Sequence, residues 1–268
     1  MTVDSKLETP DVELPDRLVG ADRVLSILVE LSRHANGIGL DDLARVVDSP
    51  KPTVHRALAA LRRAGLAAQD GPGHYVLGDE FVRMAFAHHE ARPDHIRVRS
   101  ILSELATRYL ETAHFAVLEG KSIVYRAKVD PPHGAVKLTS TVGGRNPAHA
   151  TAVGKMLLSY TLLDEASVRA WIGNEPLLRR TPKTIVTARE LHDELTKIRN
   201  QGFSVDDQEN ELQINCVALP VFLTSPTVPS GAISISAMAY RTPLQTLIDD
   251  VPRIRAIAAE HGLETAVR

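Results

Sequence analysis

The stretch that most constrains the fold runs from Asp48 to Gln69, D-S-P-K-P-T-V-H-R-A-L-A-A-L-R-R-A-G-L-A-A-Q. Between Ser49 and Gln69 it holds no acidic residue but carries Lys51, Arg56, Arg62 and Arg63. Val54, Ala57, Leu58 and Leu61 recur at spacings of three and four, which predicts an amphipathic helix. Ser49 reads as its N-cap, Pro50 as its first helical residue and Gly65 as its stop. One apolar face backed by a basic, polar face suits the DNA major groove. A solvated surface helix has the same pattern, so the flanking chain has to decide.

Upstream, Asp16 to His34 places Leu18, Val24, Leu25, Leu28 and Leu31 near one helix face, and Asn36-Gly37 breaks it. A short helix from Asp42 to Val47, capped by Asp41, turns the apolar Leu43, Ala44 and Val47 inward. Downstream, Leu66 to Ala68, a Gly71-Pro72-Gly73 turn and His74 to Leu77 predict a strand, a turn and a strand. Three helices followed by a hairpin are the order of a winged helix-turn-helix, with the basic helix third. Lys51, Thr53, His55 and Arg56 fall in its first turns. Thr53 and His55 are candidates for base edges, Lys51 and Arg56 for phosphate or guanine. Arg62 and Arg63 suit phosphate at the far end. His74 on the wing is a candidate backbone contact, while Tyr75 suits the core equally.

Charge narrows how such a module could work. The formal net charge is −2. Attraction to double-stranded DNA must therefore come from a local patch and from pairing of subunits, not from bulk charge. The acidic, Pro-containing residues 1–15 read as a disordered tail without the apolar core of a secretory signal. No apolar run reaches membrane-span length. One cysteine, Cys216, excludes an internal disulfide framework and fits a cytoplasmic location. Residues 16–79 form the expected DNA-binding domain and 80–92 a linker helix. The linker's Phe81, Val82, Ala85 and Phe86 suggest burial against a partner. His88, His89 and His95 lack the further ligands that a metal site needs, so no metal or cofactor is expected.

Residues 93–268 read as a second domain. The expected order is a helix from Asp94 to Leu110, then a hairpin of His114–Glu119 and Ser122–Val129 around Gly120-Lys121. A short strand, 136–140, and a Gly/Pro loop, Val142 to His149, lead into a small-residue helix from Ala150 to Tyr160. Helices follow at Leu163–Ile172 and from Thr187, whose T-A-R-E is a capping box, to about Asn200. Strands at Phe203–Asp206, Ile214–Phe222 and Gly231–Ala237 precede a last helix, Leu244–His261, with a kink at Pro252. Grouped strands with outer helices make this an α+β domain with a mainly antiparallel sheet.

The blocks R-V-L-S-I-L, P-K-P-T-V-H-R-A-L-A-A-L and G-H-Y-V-L-G are similar, in order and spacing, to the DNA-binding half of the IclR family of bacterial transcription regulators. In the second half V-G-G-R-N-P-A-H-A-T-A-V-G-K-M-L-L-S, T-P-K-T-I-V-T-A-R-E-L-H-D-E-L and G-F-S-V-D-D-Q-E-N-E-L-Q-I-N-C-V-A-L-P-V resemble that family's effector domain. The resemblance covers roughly Asp16 to His261. It implies a GAF-like domain that binds a small-molecule effector, and homodimers or homotetramers. It implies effector contacts at Leu138, Asn146, Ala152, Val153, Asp206, Ile214, Cys216, Ser234 and Ser236. Those types suit an organic acid: small residues at a helix start expose N–H groups, the paired serines donate, and Leu138 and Ile214 give an apolar wall. The chain departs from the family at Pro52, Asn146, Gln208 and Gln213, where small polar, apolar, acidic and glycine residues are common.

Other readings of the same residues stay open. Ser234 and Ser236 could form an outward polar face, Asp206 and Asp207 could cap a turn, and Arg145 and His149 could brace the loop. A C-terminal domain that only oligomerises is one alternative function. An enzyme using Cys216 with His149 and Asp206 is another, although no motif holds the three in a reactive geometry and an apolar strand disfavours the thiolate.

Overall fold

The computed structural model describes residues 20–90, 93–132, 138 and 140–265, with side chains from 88 to 97 excepted. The tail 1–15, Leu18 and the side chains of His88, His89 and His95 lie outside the described residues. The chain divides into two compact units, residues 1–92 and 93–268.

In the first unit α1 (Ala21–Ser32), α2 (Leu40–Val46) and α3 (Lys51–Arg63) surround one core. Ile27, Leu31, Leu43, Val54, Leu58 and Leu61 are buried there together with Tyr75, which belongs to the core. The α3 stripe is the one its spacing implies: Val54, Ala57, Leu58 and Leu61 are its buried residues. Its start differs from expectation. Pro50 flanks the helix, Lys51 is its first residue, and the Ser49 hydroxyl donates back to the Val47 carbonyl (3.2 Å) instead of capping. Pro52 then occupies the second helical position, where the backbone N–H has no intrahelical partner to lose. Gly65 follows the helix with φ +72°, as its stop role requires. In α2 Gly39 stands at the cap, and Asp41 and Asp42 lie in the first turn, where the helix dipole favours them.

The wing is β2 (Ala67–Gly71) and β3 (His74–Leu77). A third strand that no periodicity announced, β1 (Ile38–Gly39), pairs antiparallel with β3, giving the order β1-β3-β2. Two residues are too few to show alternation, so only the partner strand defines it. Next comes α4 (Asp79–Glu90).

The second unit is a six-stranded antiparallel sheet with helices on both faces. After α5 (Pro93–Tyr109) come β4 (Thr112–Glu119), β5 (Ser122–Val129) and a short edge strand β6 (Arg145–Pro147), which lies within the expected loop and is defined by its pairing with β5. A 3-10 turn at Ala148–Ala150 leads into α6 (Ala152–Leu158), then α7 (Glu165–Ile172) and α8 (Ala188–Gln201). Strands β7 (Ser204–Asp207), β8 (Ile214–Val221) and β9 (Gly231–Met238) follow, in the sheet order β6-β5-β4-β9-β8-β7. The expected last helix is two, α9 (Leu244–Asp249) and α10 (Val251–Glu260). Pro252 sits at the second position of α10, and the break falls at Asp250 just before it. Leu138 and Ser140 carry no strand pairing, and the remainder of the expected strand 136–140 lies outside the described residues.

Each sheet face has its own core. Val217, Ile233, Ile235, Ala113 and Phe115 pack against α5, α9 and α10 through Ile101, Leu105, Leu247 and Ile254. On the opposite face Ala116, Tyr125, Ala218 and Ala232 meet Val153, Met156 and Leu157 of α6, with Leu191 and Leu195 of α8 behind. Gly154 is needed at this layer: a Cβ there would lie 2.1 Å from the Ala148 carbonyl oxygen. The small residues opening α6 therefore have a packing role.

Candidate functional site

The α6-side face of the sheet carries the polar residues. Antiparallel pairing aligns Asp206 with Cys216, Cys216 with Ser236, and Ser236 with Thr112. The adjacent row is Ser204, Ala218, Ser234, His114 and Lys128. Residues directly opposite share a face, so Asp206, Cys216, Ser236 and Ser234 lie together, and Ile214 joins them two residues before Cys216. The serines are not an outward face: Ser234 and Ser236 are buried, and Ile233 and Ile235 fill the other core.

The polar groups are linked. The Cys216 thiol donates to Ser236 Oγ (3.1 Å), which lies 3.4 Å from His114 Nδ1. His114 Nε2 lies 2.8 Å from Ser140 Oγ. Burial pushes the His114 imidazole down to about 3, with Lys128 adding to the effect, so the ring is neutral at physiological pH. Tyr125 stands beside it, ring centroids 4.7 Å apart, and accepts from Asn146 Nδ2 (3.2 Å). The Ser234 hydroxyl meets no hydrogen-bond partner among the described residues.

Asp206 has two attachments. Its Oδ1 accepts from the Glu209 N–H (2.6 Å) and the Asn210 N–H (3.4 Å), so it does cap the following loop while remaining in the polar row. Burial, and then the nearby Glu209 charge, push its carboxyl up to about 7. Asp207 points elsewhere, to Lys183 Nζ at 2.9 Å. The loop is clamped by the T-P-K-T block: Thr181 Oγ1 donates to the Gln208 carbonyl (2.7 Å) and Thr184 Oγ1 to the Glu209 carbonyl (2.6 Å). Beneath it the fully buried Lys155 reaches Glu209 Oε1 (2.5 Å) and Glu194 Oε1 (3.1 Å). Those carboxylates outweigh the desolvation of the ammonium and raise its pKa.

Ala152 and Val153 are buried at the start of α6, where the Ala152 carbonyl accepts from Ser204 Oγ (2.6 Å). The helix has seven residues, and Thr151 already takes the Gly154 N–H (3.1 Å), which leaves less free N–H than the small residues suggested. Leu138 is half-buried, and its carbonyl accepts from Lys128 Nζ (2.8 Å) in the His114 row. Arg145 and His149 brace the surroundings, Arg145 on Glu119 (2.5 Å) and His149 on the Leu178 carbonyl (3.0 Å). Burial raises the Cys216 thiol well above its ordinary value, with the Asp206 charge adding to it. No imidazole is bonded to that thiol among the described residues, which removes the nucleophile arrangement.

Reading from residue types missed His114, Tyr125, Lys155 and Glu209. For Lys155 a signal existed: a lone lysine amid V-G-K-M-L-L on an apolar helix, with acids elsewhere to pair it.

In the first unit Lys51, His55, Arg56, Arg62 and Arg63 are exposed along α3, and Thr53 is half-buried. Lys51 Nζ pairs with Asp41 (2.6 Å), Arg62 with Gln69 (2.9 Å) and His74 with Asp70 (2.6 Å). Exposed pairs of this kind are worth about 0–1 kcal/mol, so phosphates can displace them.

A winged helix-turn-helix with a basic third helix, joined to a domain with a buried polar face, defines a DNA-binding transcription regulator with an effector domain. Family models agree. The IclR helix-turn-helix domain matches residues 20–71, and the bacterial transcriptional regulator IclR C-terminal domain matches residues 95–260. The chain belongs to the IclR family, whose members are transcriptional regulators and not enzymes. It is 33% identical over 242 residues to the HTH-type transcriptional regulator KdgR of Dickeya chrysanthemi, across 89% of this chain and 77% of that protein. A regulator structure from Rhodococcus sp. RHA1 superposes with a TM-score of 0.74 at 26% identity, over 89% of this chain and 94% of the other. An IclR homologue from Microbacterium hydrocarbonoxydans, complexed with 4-hydroxybenzoate, shares the fold with a TM-score of 0.71 at 20% identity, over 88% and 99% of the two chains. No helix among the described residues is long and apolar enough to cross a membrane.

Proposed function

We propose that the second unit binds a small organic acid on the α6-side sheet face, and that binding changes how paired DNA-binding units hold operator DNA. The observation carrying this reading is the buried row of Asp206, Cys216 and Ser236 beside Ser234, whose hydroxyl is unspent. Leu138, Asn146, Ala152, Val153 and Ile214 complete the proposed site. The Ser234 hydroxyl has no acceptor among the described residues, so a ligand oxygen can take its proton in a hydrogen bond. With Asp206 near 7 and its Oδ1 occupied by two N–H groups, Oδ2 can carry a proton and donate to a carboxylate. The 4-hydroxybenzoate of the Microbacterium protein is of this chemical class; at 20% identity it supports the fold, and the site chemistry supports the ligand.

Lys51, Thr53, His55, Arg56, Arg62 and His74 are the proposed DNA contacts. Leu25 and Val29 of α1 and Phe81, Val82, Met84 and Phe86 of α4 are exposed in the single chain. They supply an apolar surface for homodimer formation, which operator binding by a single small module needs. Footprinting on the chain's own promoter, with and without candidate acids, tests the whole reading. A two-fold symmetric site with halves one helical turn apart is expected, with protection altered by at least one acid. Protection unaffected by every acid, together with unchanged thermal stability, would favour a second unit that only oligomerises.

A further inference from the structure

We infer that Tyr125 is the specificity-determining residue of this site, its phenol hydroxyl being held as a donor for an acidic oxygen of the effector. The inference rests on the proposed acid-binding reading and adds the residue that recognises the acid. Three independent features place Tyr125 there.

The first is the backbone. Strict alternation along β5 would put Lys128 and Arg126 on one face and Tyr125 on the other. Pairing shifts between Phe115, opposite Ala127, and Ala116, opposite Tyr125, so Arg126 is an extra residue. This bulge turns Tyr125 onto the face of His114, Ser234 and Cys216. Bulges that re-aim a side chain are built features, not defects.

The second is confinement. Tyr125 is 8% exposed, its ring lies against His114, and Asn146 opposite Ile123 donates into its oxygen. A phenol oxygen that accepts from an amide keeps its own proton free to donate. No acceptor for that proton occurs among the described residues.

The third is reach. Although β5 lies three strands from β8, Tyr125 is buried in the same cluster against which Cys216 of β8 packs. The side chain extends over the sheet towards the Asp206–Cys216–Ser236 row. Tyr125, Ser234 and a protonated Asp206 thus offer three donors on one face, and His114 and the Cys216 thiol are already committed to Ser140 and Ser236. Donors without acceptors select a ligand rich in acceptors, and a carboxylate meets this better than its ester.

The test is isothermal titration of the full-length chain with pyruvate, butyrate and benzoate, each beside its methyl ester. Wild type is compared with Tyr125→Phe and Asn146→Leu. The expected result is that wild type prefers at least one acid over its ester, and that Tyr125→Phe weakens that acid about tenfold, the worth of one hydrogen bond to a charged group, with little change for the ester. Asn146→Leu should lose a smaller part of the same preference. Equal acid affinity in wild type and Tyr125→Phe overturns the assignment while leaving the acid-binding reading intact. Parallel losses for acid and ester also overturn it, because they indicate a packing role. Failure of every acid to bind wild type overturns the acid-binding reading and this inference with it.

Discussion

Replacing Asp206 by Asn should change how stability depends on pH more than it changes stability itself. In the folded chain the Asp206 carboxyl is pushed up to about 7, against 3.8 for the free side chain. The folded state therefore holds a proton that the unfolded chain has released between these two values. Because the unfolded state binds fewer protons, stability must fall as pH rises from about 4 to about 7, then level off. At about 1.36 kcal/mol per pH unit, the difference amounts to about 4 kcal/mol. Asn keeps an oxygen for the Glu209 and Asn210 N–H groups and cannot ionise. Asp206→Asn should then lose most of that fall and be the more stable form at pH 8. Urea denaturation of the full chain followed by Trp171 fluorescence measures it, since this is the only tryptophan and it lies on α7 of the second unit. Parallel stability curves for the two proteins between pH 5 and pH 8 would refute the assignment of a raised carboxyl.

Other substitutions test the supports of the site. Lys155→Met removes the one cation buried among Glu209 and Glu194; it should cost about 3–5 kcal/mol in urea denaturation, because it leaves buried carboxylates uncompensated. Gln213 has φ +65°, a left-handed conformation, so Gln213→Gly should stabilise by up to about 1 kcal/mol by the same assay, with glycine's extra unfolded-state entropy offsetting part of the gain. Phe86→Glu, at a side chain 61% exposed in the single chain, should leave the fold intact, shift the chain towards monomer in sedimentation, and reduce the salt dependence of operator binding by about half, since half the phosphate contacts are lost.

The parts legible in the sequence were those governed by local chemistry. The α3 stripe follows from helical spacing alone, and the Thr187 cap on Glu190 from a four-residue motif (3.2 Å in the structure). The effector-site residues came from resemblance, and strand register then explains their company: Asp206, Cys216 and Ser236 are ten and twenty residues apart but occupy one row. What stayed hidden depended on distant partners. Tyr125 was hidden because a one-residue bulge reverses its face, and no local signal at Arg126 marks it. The β1 strand exists only through β3. Gln213 stands where glycine is common in the family, and its φ gives the physical reason for that preference: the turn into β8 needs the left-handed region. The adjacent Gln208, also left-handed at φ +63°, accepts from the Gln213 N–H (3.1 Å), which helps to hold the strained turn.

The energetics of the two sheet faces bear on what the second unit does. A unit needed only to join subunits would gain from apolar residues on both faces, each buried Val or Leu side chain contributing about 1.5–3 kcal/mol. The α5-side face follows that rule at Val217, Leu219, Ile233 and Ile235, with the buried Asn215 as an exception near the end of β8. The α6-side face breaks it at Asp206, Ser234, Ser236 and His114, all buried. Part of the expense is offset internally, by the Cys216–Ser236–His114–Ser140 chain and the two N–H groups on Asp206. The Ser234 hydroxyl and the Tyr125 proton have no acceptor among the described residues. A ligand that completes these hydrogen bonds would stabilise the sheet face. A ligand that binds only the folded unit must raise its stability with concentration, so thermal shift against the acids separates a sensing domain from one that only assembles subunits.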